Sequence, residues 1–561
     1  MREVGERKAE WEGPERDLVA VITDGLTNSR LDIYELKTMR RLQRRDGWSR
    51  PSQLIVGKDG RLWFDIPDAV EHFLEQLRDF EGAKDVFIIV PVARGATCAL
   101  MDETGGLLPR KVEDIGGVMQ GGGVISYINA ASAATDTLFD EMASPLERYR
   151  AYGLPPNFTG YAIPGRTIVS LANEFPELIR AADSFIFGPE IIARLACAGN
   201  PSPERKGLEP TYLMCHTGLW KNGHWSPLAH EIDRFVMEKT GKRLLGGLMP
   251  AAPTGSSMTF DRVGAKAAAA YGLDGNALVL NGGHDSTIAD LPVIAAFRHA
   301  CGERGFIHFQ AGSWGMARLI GGKGLLELPE EGFGKNMMYQ GGLYGNPVLT
   351  ASAPTGIEFQ HYAGDGPAGK GALLQELELD RLPTGAYDRD LLQQVLSDRA
   401  IFITPGVAAG VGPYPRSTSM VYGMEEIRHD RSGELAYTAL NLETSIMATA
   451  SIELAAGGDK SMAVVISAGA AADQLFRSLV ASLNPYRDVY YVADAAGNAV
   501  TETTSDGGFI LSLEHIRGTP ANEIDVSGLG YHLHRIEPDK SLLESLGSYR
   551  REFEKRAVPP Q

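Results

Sequence analysis

The sequence predicts an α/β protein built from two related lobes, and three observations carry that expectation. Apolar runs of strand length alternate with stretches of helical periodicity along most of the chain. At 561 residues the chain is too long for one core, because domains usually hold roughly 100–200 residues. One design also occurs twice. An apolar strand, a small polar turn with glycine and a second strand appear around Gly25 and again around Gly312. The two turns share that design rather than their letters.

Residues 1–16 are highly charged and read as a flexible tail without an apolar targeting segment. Order is expected from Leu18, where LVAVIT is a buried strand. The turn Asp24-Gly25-Leu26-Thr27-Asn28-Ser29-Arg30 follows, and then the alternating stretch Leu31–Tyr34. Such a turn can aim consecutive backbone N–H groups at a phosphate, and taken alone it fits an ordinary hairpin better. Ala69–Phe80 has helical spacing, Val86–Val92 is a buried strand, and a further strand holds Leu100 and Met101. Gly116–Gly123 is a glycine-rich loop that fits a phosphate contact, a lid or a plain connection. Asn173–Ala182 reads as a helix. Phe260–Tyr271 is an alanine-rich helix, ended by Gly272 in the position where a left-handed residue closes helices.

The stretch Ala277–Thr287, ALVLNGGHDST, is the centre of the reading. A short strand runs into Gly282-Gly283, which lets the backbone turn sharply and come close to a ligand. Asp285 then stands just past the carboxyl end of the strand, where open α/β sheets bind ligands. A carboxylate there can take a proton from an attacking hydroxyl, and the same residue fits an acid that caps the next helix. Leu291–Arg304 reads as the crossover between halves. Phe306–Phe309, the turn Gln310–Gly315 and Met316–Ile320 form the second hairpin. Thr404–Pro415 is a Pro/Gly-rich loop, and Glu434–Ala456 is a long helix ended by Gly457-Gly458. After the strand Ala463–Ser467, Gly469-Ala470 opens a helix over Asp473–Ser482. Small residues at that entry permit either close contact with a flat ring such as adenine or tight strand–helix packing.

Composition narrows the classes. Hydrophobic residues are 43% of the chain, enough for extensive burial. A formal net charge of −17 argues against a general nucleic-acid or acidic-membrane surface. The 65 glycines exceed the roughly 39 that an ordinary share of ~7% would give, which points to many tight turns. Cys98, Cys197, Cys215 and Cys301 are scattered, so neither a zinc site nor a disulfide framework is expected, and a reducing, cytoplasmic setting fits. No run approaches the ~20 apolar residues of a membrane span.

Taken in order, the stretches over roughly Val19–Ile516 resemble the FGGY family of carbohydrate kinases. The Gly-Gly-His-Asp ending at Asp285 is most similar to the rhamnulokinase and fuculokinase branch. Gln310-Ala311-Gly312-Ser313-Trp314 resembles that branch's Ser-Gly-Thr-Trp phosphate loop. Thr217-Gly218-Leu219 with Gly223-His224-Trp225 resembles the family's Thr-Gly-Leu … Gly-Asp-Trp. Ser467-Ala468-Gly469-Ala470 partly matches the Gly-Gly-Gly-Ala adenosine loop, and Glu502 with Gly507-Gly508 falls where the family has Glu … Gly-Ala-Ala. There are also departures. The first phosphate loop usually reads Asp-x-Gly-Thr-Thr, whereas Thr23 stands here in the acid's place and Asp24 one place later, on the other face of a strand. Arg94-Gly95-Ala96-Thr97 stands where the branch has Trp-Gly-Val-Asp, and Val112–Gly116 lacks the aromatic and arginine that flank the family's aspartate.

The resemblance implies a two-lobed, actin-like fold with a ribonuclease-H-like core in each lobe and the active site in the cleft between them. Residues 17–295 would form the N-terminal domain with the sugar site and base, 296–550 the C-terminal domain that binds ATP, and 551–561 a tail. It implies ATP-dependent phosphorylation of a small sugar with Asp285 as the base. Gly25, Thr27, Asn28, Gly312, Ser313, Gly469, Ala470 and Asp473 would border ATP. Thr97, Asp114, His284 and Asp285 would face the sugar, and Asp24 would serve Mg²⁺. The expected partners are a small sugar and ATP, with a homodimer as a candidate assembly. Two other classes stand beside this one: a non-catalytic sugar- or nucleotide-binding regulator, and an actin-like phosphotransferase with a non-sugar acceptor.

Overall fold

The structure, a computed structural model, describes residues 17–25, 29–43, 49–50, 54–113, 118–120, 123–126, 128–156, 158, 160–198, 209–215, 217–221, 223–321, 328–366, 369–383, 387–408, 410–428 and 431–558. The charged 1–16 stretch, Thr27, Asn28, Asp114, His216 and the loop Pro201–Gly207 lie outside them.

Two large sheets share one plan. In the first, the order is Thr259–Arg262, Leu278–Leu280, Val86–Ala93, Leu18–Asp24, Ser29–Glu35, Arg40–Gln43, and Gly283–His284 also pairs with Val86–Ala93. Leu18–Asp24 forms an antiparallel hairpin with Ser29–Glu35 and runs parallel to Val86–Ala93. In the second sheet, Phe306–Ala311 forms an antiparallel hairpin with Gly315–Ile320 and runs parallel to Ala463–Ser467, which in turn runs parallel to Val489–Ala493. A hairpin followed by parallel additions on its first strand is thus built twice, as the repeated turn design predicts.

The strands form where continuous apolar runs can be covered on both faces. Alternate residues of Leu18–Asp24 serve two cores. Leu18, Ala20 and Ile22 pack with Phe64, Phe73 and Leu77, and Val19 and Val21 pack with Phe509, Ile510 and Leu513. The second set comes from helix Thr504–Arg517, so late chain returns to cover the first sheet. Gly508 makes that fit close, because a Cβ there would lie 2.6 Å from Val21. The halves are therefore not two consecutive blocks, and the 295/296 boundary falls inside helix Asp290–Cys301.

Four local expectations differ from the structure, each for a physical reason. Asn173–Ala182 is not one helix: Pro164–Glu174 ends at Phe175 and Pro176–Ala181 begins anew. Pro176 has no N–H to continue the ladder and its ring clashes with the preceding turn. Phe260–Arg262 is strand, because Thr259–Arg262 finds backbone partners in Leu278–Leu280, and the helix starts at Ala265. Within the glycine-rich Gly116–Gly123, Val118–Gln120 pairs with Lys111–Glu113 as a small ribbon. Residues 551–557 are not tail: they complete helix Leu543–Ala557, held by the fully buried Phe553. Among the described residues, no helix is long and apolar enough to cross a membrane.

Candidate active site

Asp285 is placed by three adjoining strand ends. In register, Asp24 pairs with Ala93, and Ala93 with His284, so the residues that follow emerge together at the carboxyl edge of the first sheet. The two glycines before it bring backbone against backbone. Gly282 has φ +72°, and a Cβ there would lie 1.7 Å from the carbonyl oxygen of Pro91. The close approach foreseen for a ligand is thus made to the neighbouring strand. Asp285 opens the short helix Asp285–Ile288. Its Oδ1 accepts from Ser286 N at 2.6 Å and from Ser286 Oγ at 3.2 Å.

The Asp285 side chain keeps 31% exposure, so one edge of the carboxylate opens to solvent. Its walls still withdraw enough water to push its pKa up to about 6. Burial raises it, the Ser286 hydrogen bonds and the Arg94 charge lower it, and the Asp24 charge raises it again. His284 is 2% exposed, and its Nε2 lies 3.3 Å from Asp285 Oδ1 and 3.3 Å from Cys215 Sγ. Nε2 thus sits between the Asp285 carboxylate and the Cys215 thiol. Burial, reinforced by the Asp285 charge, holds the Cys215 thiol well above its ordinary range, so it stays protonated. Gly95 permits this contact, since a Cβ there would lie 2.8 Å from His284 Nε2. His284 therefore acts on Asp285 and has little surface to offer a ligand.

Helix Pro210–Leu213 braces the site. Thr211 Oγ1 accepts from His284 N at 2.9 Å, Tyr212 Oη donates to the carbonyl of Arg94, and Tyr212 Oη accepts from Thr97 N at 2.6 Å. Thr97, expected at the sugar, is fully buried and packs beside Gly188, so its side chain does not reach solvent.

Asp24, the expected metal residue, is committed elsewhere. Its Oδ2 accepts from Arg94 Nε at 3.0 Å and Nη2 at 2.8 Å, and its Oδ1 from Arg94 Nη2 at 2.9 Å and Ser29 Oγ at 2.8 Å. Three donor atoms make these contacts, with Arg94 Nη2 shared between the two oxygens, so both carboxylate oxygens are engaged. Both side chains are 3% exposed. Asp24 does not fit a metal ligand in this arrangement. Among the described residues, no group of three or more His, Cys, Asp or Glu is placed to hold a metal ion.

The second sheet reaches this region through Gln310. Gln310 Nε2, two residues before Gly312, donates to the carbonyl of Ser286 at 2.6 Å. The Gly312–Trp314 turn is pinned from behind: Ser313 O accepts from Ile357 N at 3.1 Å, and a Cβ on Gly356 would lie 2.5 Å from Gly312 O. The Trp314 ring lies 6.4 Å from the Phe158 ring and props the turn. Gln310 pairs with Ser467, so the Ala468–Ala470 turn leaves the sheet beside the Gly312 turn. Ala468 has φ +71° and ψ −169°, a region that favours glycine. Gly469 and Ala470 begin a 3₁₀ turn, and Asp473 caps helix Gln474–Leu483 through Leu475 N and Phe476 N while accepting from Tyr437 Oη. The Asp473 carboxylate is thus occupied by the cap and by Tyr437. On the first hairpin, Arg30 pairs with Glu502, whose Oε1 accepts from Thr504 N and Ser505 N.

A buried polar network joins the helices that follow His284 to the second sheet, and nothing in the spacing of the sequence reveals it. Asp290 Oδ2 accepts from Arg318 Nε at 2.8 Å, and Asp290 Oδ1 lies 2.7 Å from His308 Nδ1. His308 Nε2 lies 2.7 Å from Ser467 Oγ, and Arg318 Nη2 donates to Thr287 Oγ1 at 3.1 Å. Asp290 is five residues from Asp285, so the segment that carries Asp285 and the Ala468 turn are tied through one set of side chains. Cys215, Tyr212, Gln310 and this network were beyond sequence reasoning because each partner lies far away in the chain.

This architecture defines a class: a two-lobed α/β protein of actin-like plan, with strand ends from both sheets meeting near Asp285. No protein-family model matches the chain, and no curated protein does. Solved structures match it over nearly full length. A carbohydrate kinase from Novosphingobium aromaticivorans superposes with a TM-score of 0.69 at 22% identity, covering 97% of this chain and 98% of that one. A xylulose kinase from Lactobacillus acidophilus gives 0.68 at 13% identity, with 96% of each chain covered. A glycerol kinase from Plasmodium falciparum, solved with ADP, gives 0.66 at 12%, covering 97% and 99%. At these identities the likeness establishes the fold, which is the one expected from the sequence.

Proposed function

We propose that this protein is an ATP-dependent carbohydrate kinase of the FGGY kind, with Asp285 as general base. The observation that carries the reading is the position of Asp285. It is a carboxylate with a raised pKa and one open edge, at the carboxyl ends of three strands, touched from the second sheet through Gln310 and Ser286. Phosphoryl transfer relies mainly on positioning and charge stabilisation. Asp285 accepts the proton of the attacking hydroxyl, a contribution typically worth ~10²–10⁴-fold. His284 and Ser286 fix the carboxylate that receives it. The Gly25 and Gly312 turns present backbone N–H groups to the phosphates, which lets a net acidic protein bind a polyanion. The Ala468–Ala470 turn borders the adenosine. The Gly-Gly-His-Asp stretch supports a ketose of the rhamnulose or fuculose kind as acceptor.

Release of ADP over a panel of ketoses, aldoses and polyols tests the proposal. Sugar-stimulated release supports it, and sugar-independent release points to another acceptor. A non-catalytic sugar- or nucleotide-binding role is the second reading, favoured by the commitment of Asp24 to Arg94. Binding without turnover on any acceptor would establish it.

A further inference from the structure

The two departures of this chain from the kinase pattern touch each other. Asp24 stands one residue late, and the strand alternation turns it to the face of Ala20, Ile22 and Phe64. Arg94 stands where an aromatic residue is usual, at the end of the adjacent parallel strand, and Arg94 N also donates to Asp24 O at 2.9 Å. The guanidinium lies over the Phe64 ring, 4.0 Å from its centroid. A bidentate fork, a serine hydroxyl and an aromatic face thus hold one buried pair, with 3% exposure on each side chain. Among the described residues, Arg94 and Asp24 are also charged groups from neighbouring strand ends that act on Asp285, beside its own neighbours His284 and Cys215.

We infer that Arg94 replaces a protein-held metal as the fixed positive charge at this end of the first sheet, and that Asp24 is the residue that positions it. The inference rests on the proposed kinase reading for its setting, but it concerns the pair itself. A divalent ion at Asp24 would have to displace a bidentate guanidinium, and it would then sit against that cation in a buried place. Arg94 is suited to the task because its planar fork matches a carboxylate with two parallel bonds and it stays charged. The acid at position 24 and the arginine at 94 are then one coupled departure.

The test has three readouts, two of them independent of turnover. The first is a thermal-stability cycle of Asp24→Asn, Arg94→Met and the double variant. Each single change is expected to lower the melting temperature and the double variant to recover part of the loss. A double variant no more stable than the worse single one overturns the pairing. If Arg94→Met does not fold, Arg94→Lys keeps the charge without the fork and takes its place. The second is Mn²⁺ binding in the presence of ADP, followed by electron paramagnetic resonance. Asp24→Asn is expected to leave Mn²⁺ affinity within about twofold of the parent, and a tenfold or greater loss would make Asp24 a metal ligand and overturn the inference. The third is the pH profile of sugar-dependent ADP release. Asp24→Asn leaves the Arg94 charge uncompensated and should move the acidic limb down, whereas Arg94→Met should move it up. Shifts in the same direction refute the positioning role. Absence of sugar-dependent turnover in the parent would reject the kinase reading and leave the first two readouts intact.

Discussion

Replacement of Asp285 by asparagine keeps the shape of the site and removes its capacity to accept a proton. The Ser286 N–H can still donate to the amide oxygen, and the strand ends that carry the residue are untouched. A loss of ~10²–10⁴-fold in kcat is expected, which corresponds to about 2.7–5.4 kcal/mol of transition-state stabilisation at 1.36 kcal/mol per factor of ten. The pH profile makes the prediction specific. Burial raises the Asp285 pKa to about 6, and only the ionised form can act as base. Activity of the parent should therefore fall about tenfold per unit as pH drops below about 6 and level off above about 7. The asparagine variant should lose that limb while binding ADP as tightly as the parent, as measured with a fluorescent nucleotide. Residual activity above a tenth of the parent, or an acidic limb at the same pH in the variant, would refute the assignment of the base.

Other consequences follow from contacts away from the reacting group. Asp290→Ala leaves the fully buried Arg318 and His308 without their carboxylate, and loss of one partner of a buried pair costs about 3–5 kcal/mol, readable in urea denaturation. Ala468→Gly should stabilise the protein. It relieves about 1–3 kcal/mol of backbone strain against roughly 1 kcal/mol of added unfolded-chain freedom, and a lower melting temperature would contradict that account. Gly507→Ala places a Cβ 1.9 Å from the carbonyl of Ile288, so helix Thr504–Arg517 must shift against the helix that carries Asp285. Reduced stability and reduced kcat are expected together, and an unchanged variant would show that this contact yields freely.

The sequence by itself determined the elements whose signals are local. Continuous apolar runs mark the strands from Leu18, Val86, Phe306 and Ala463, and small polar turns mark both hairpins. The apolar strand and paired glycines before Asp285 mark the strand end that carries the acid. Such patterns survive because burial of a strand and the turn that follows it depend on neighbouring residues. The tertiary structure alone decided how distant segments meet. It brought Arg94 onto Asp24 from 70 residues away, Gln310 onto Ser286, and helix Thr504–Arg517 back onto the first sheet. Each of these contacts depends on strand order and on which face a side chain takes. A one-residue step such as that from Thr23 to Asp24 reverses the face while leaving the local pattern almost unchanged.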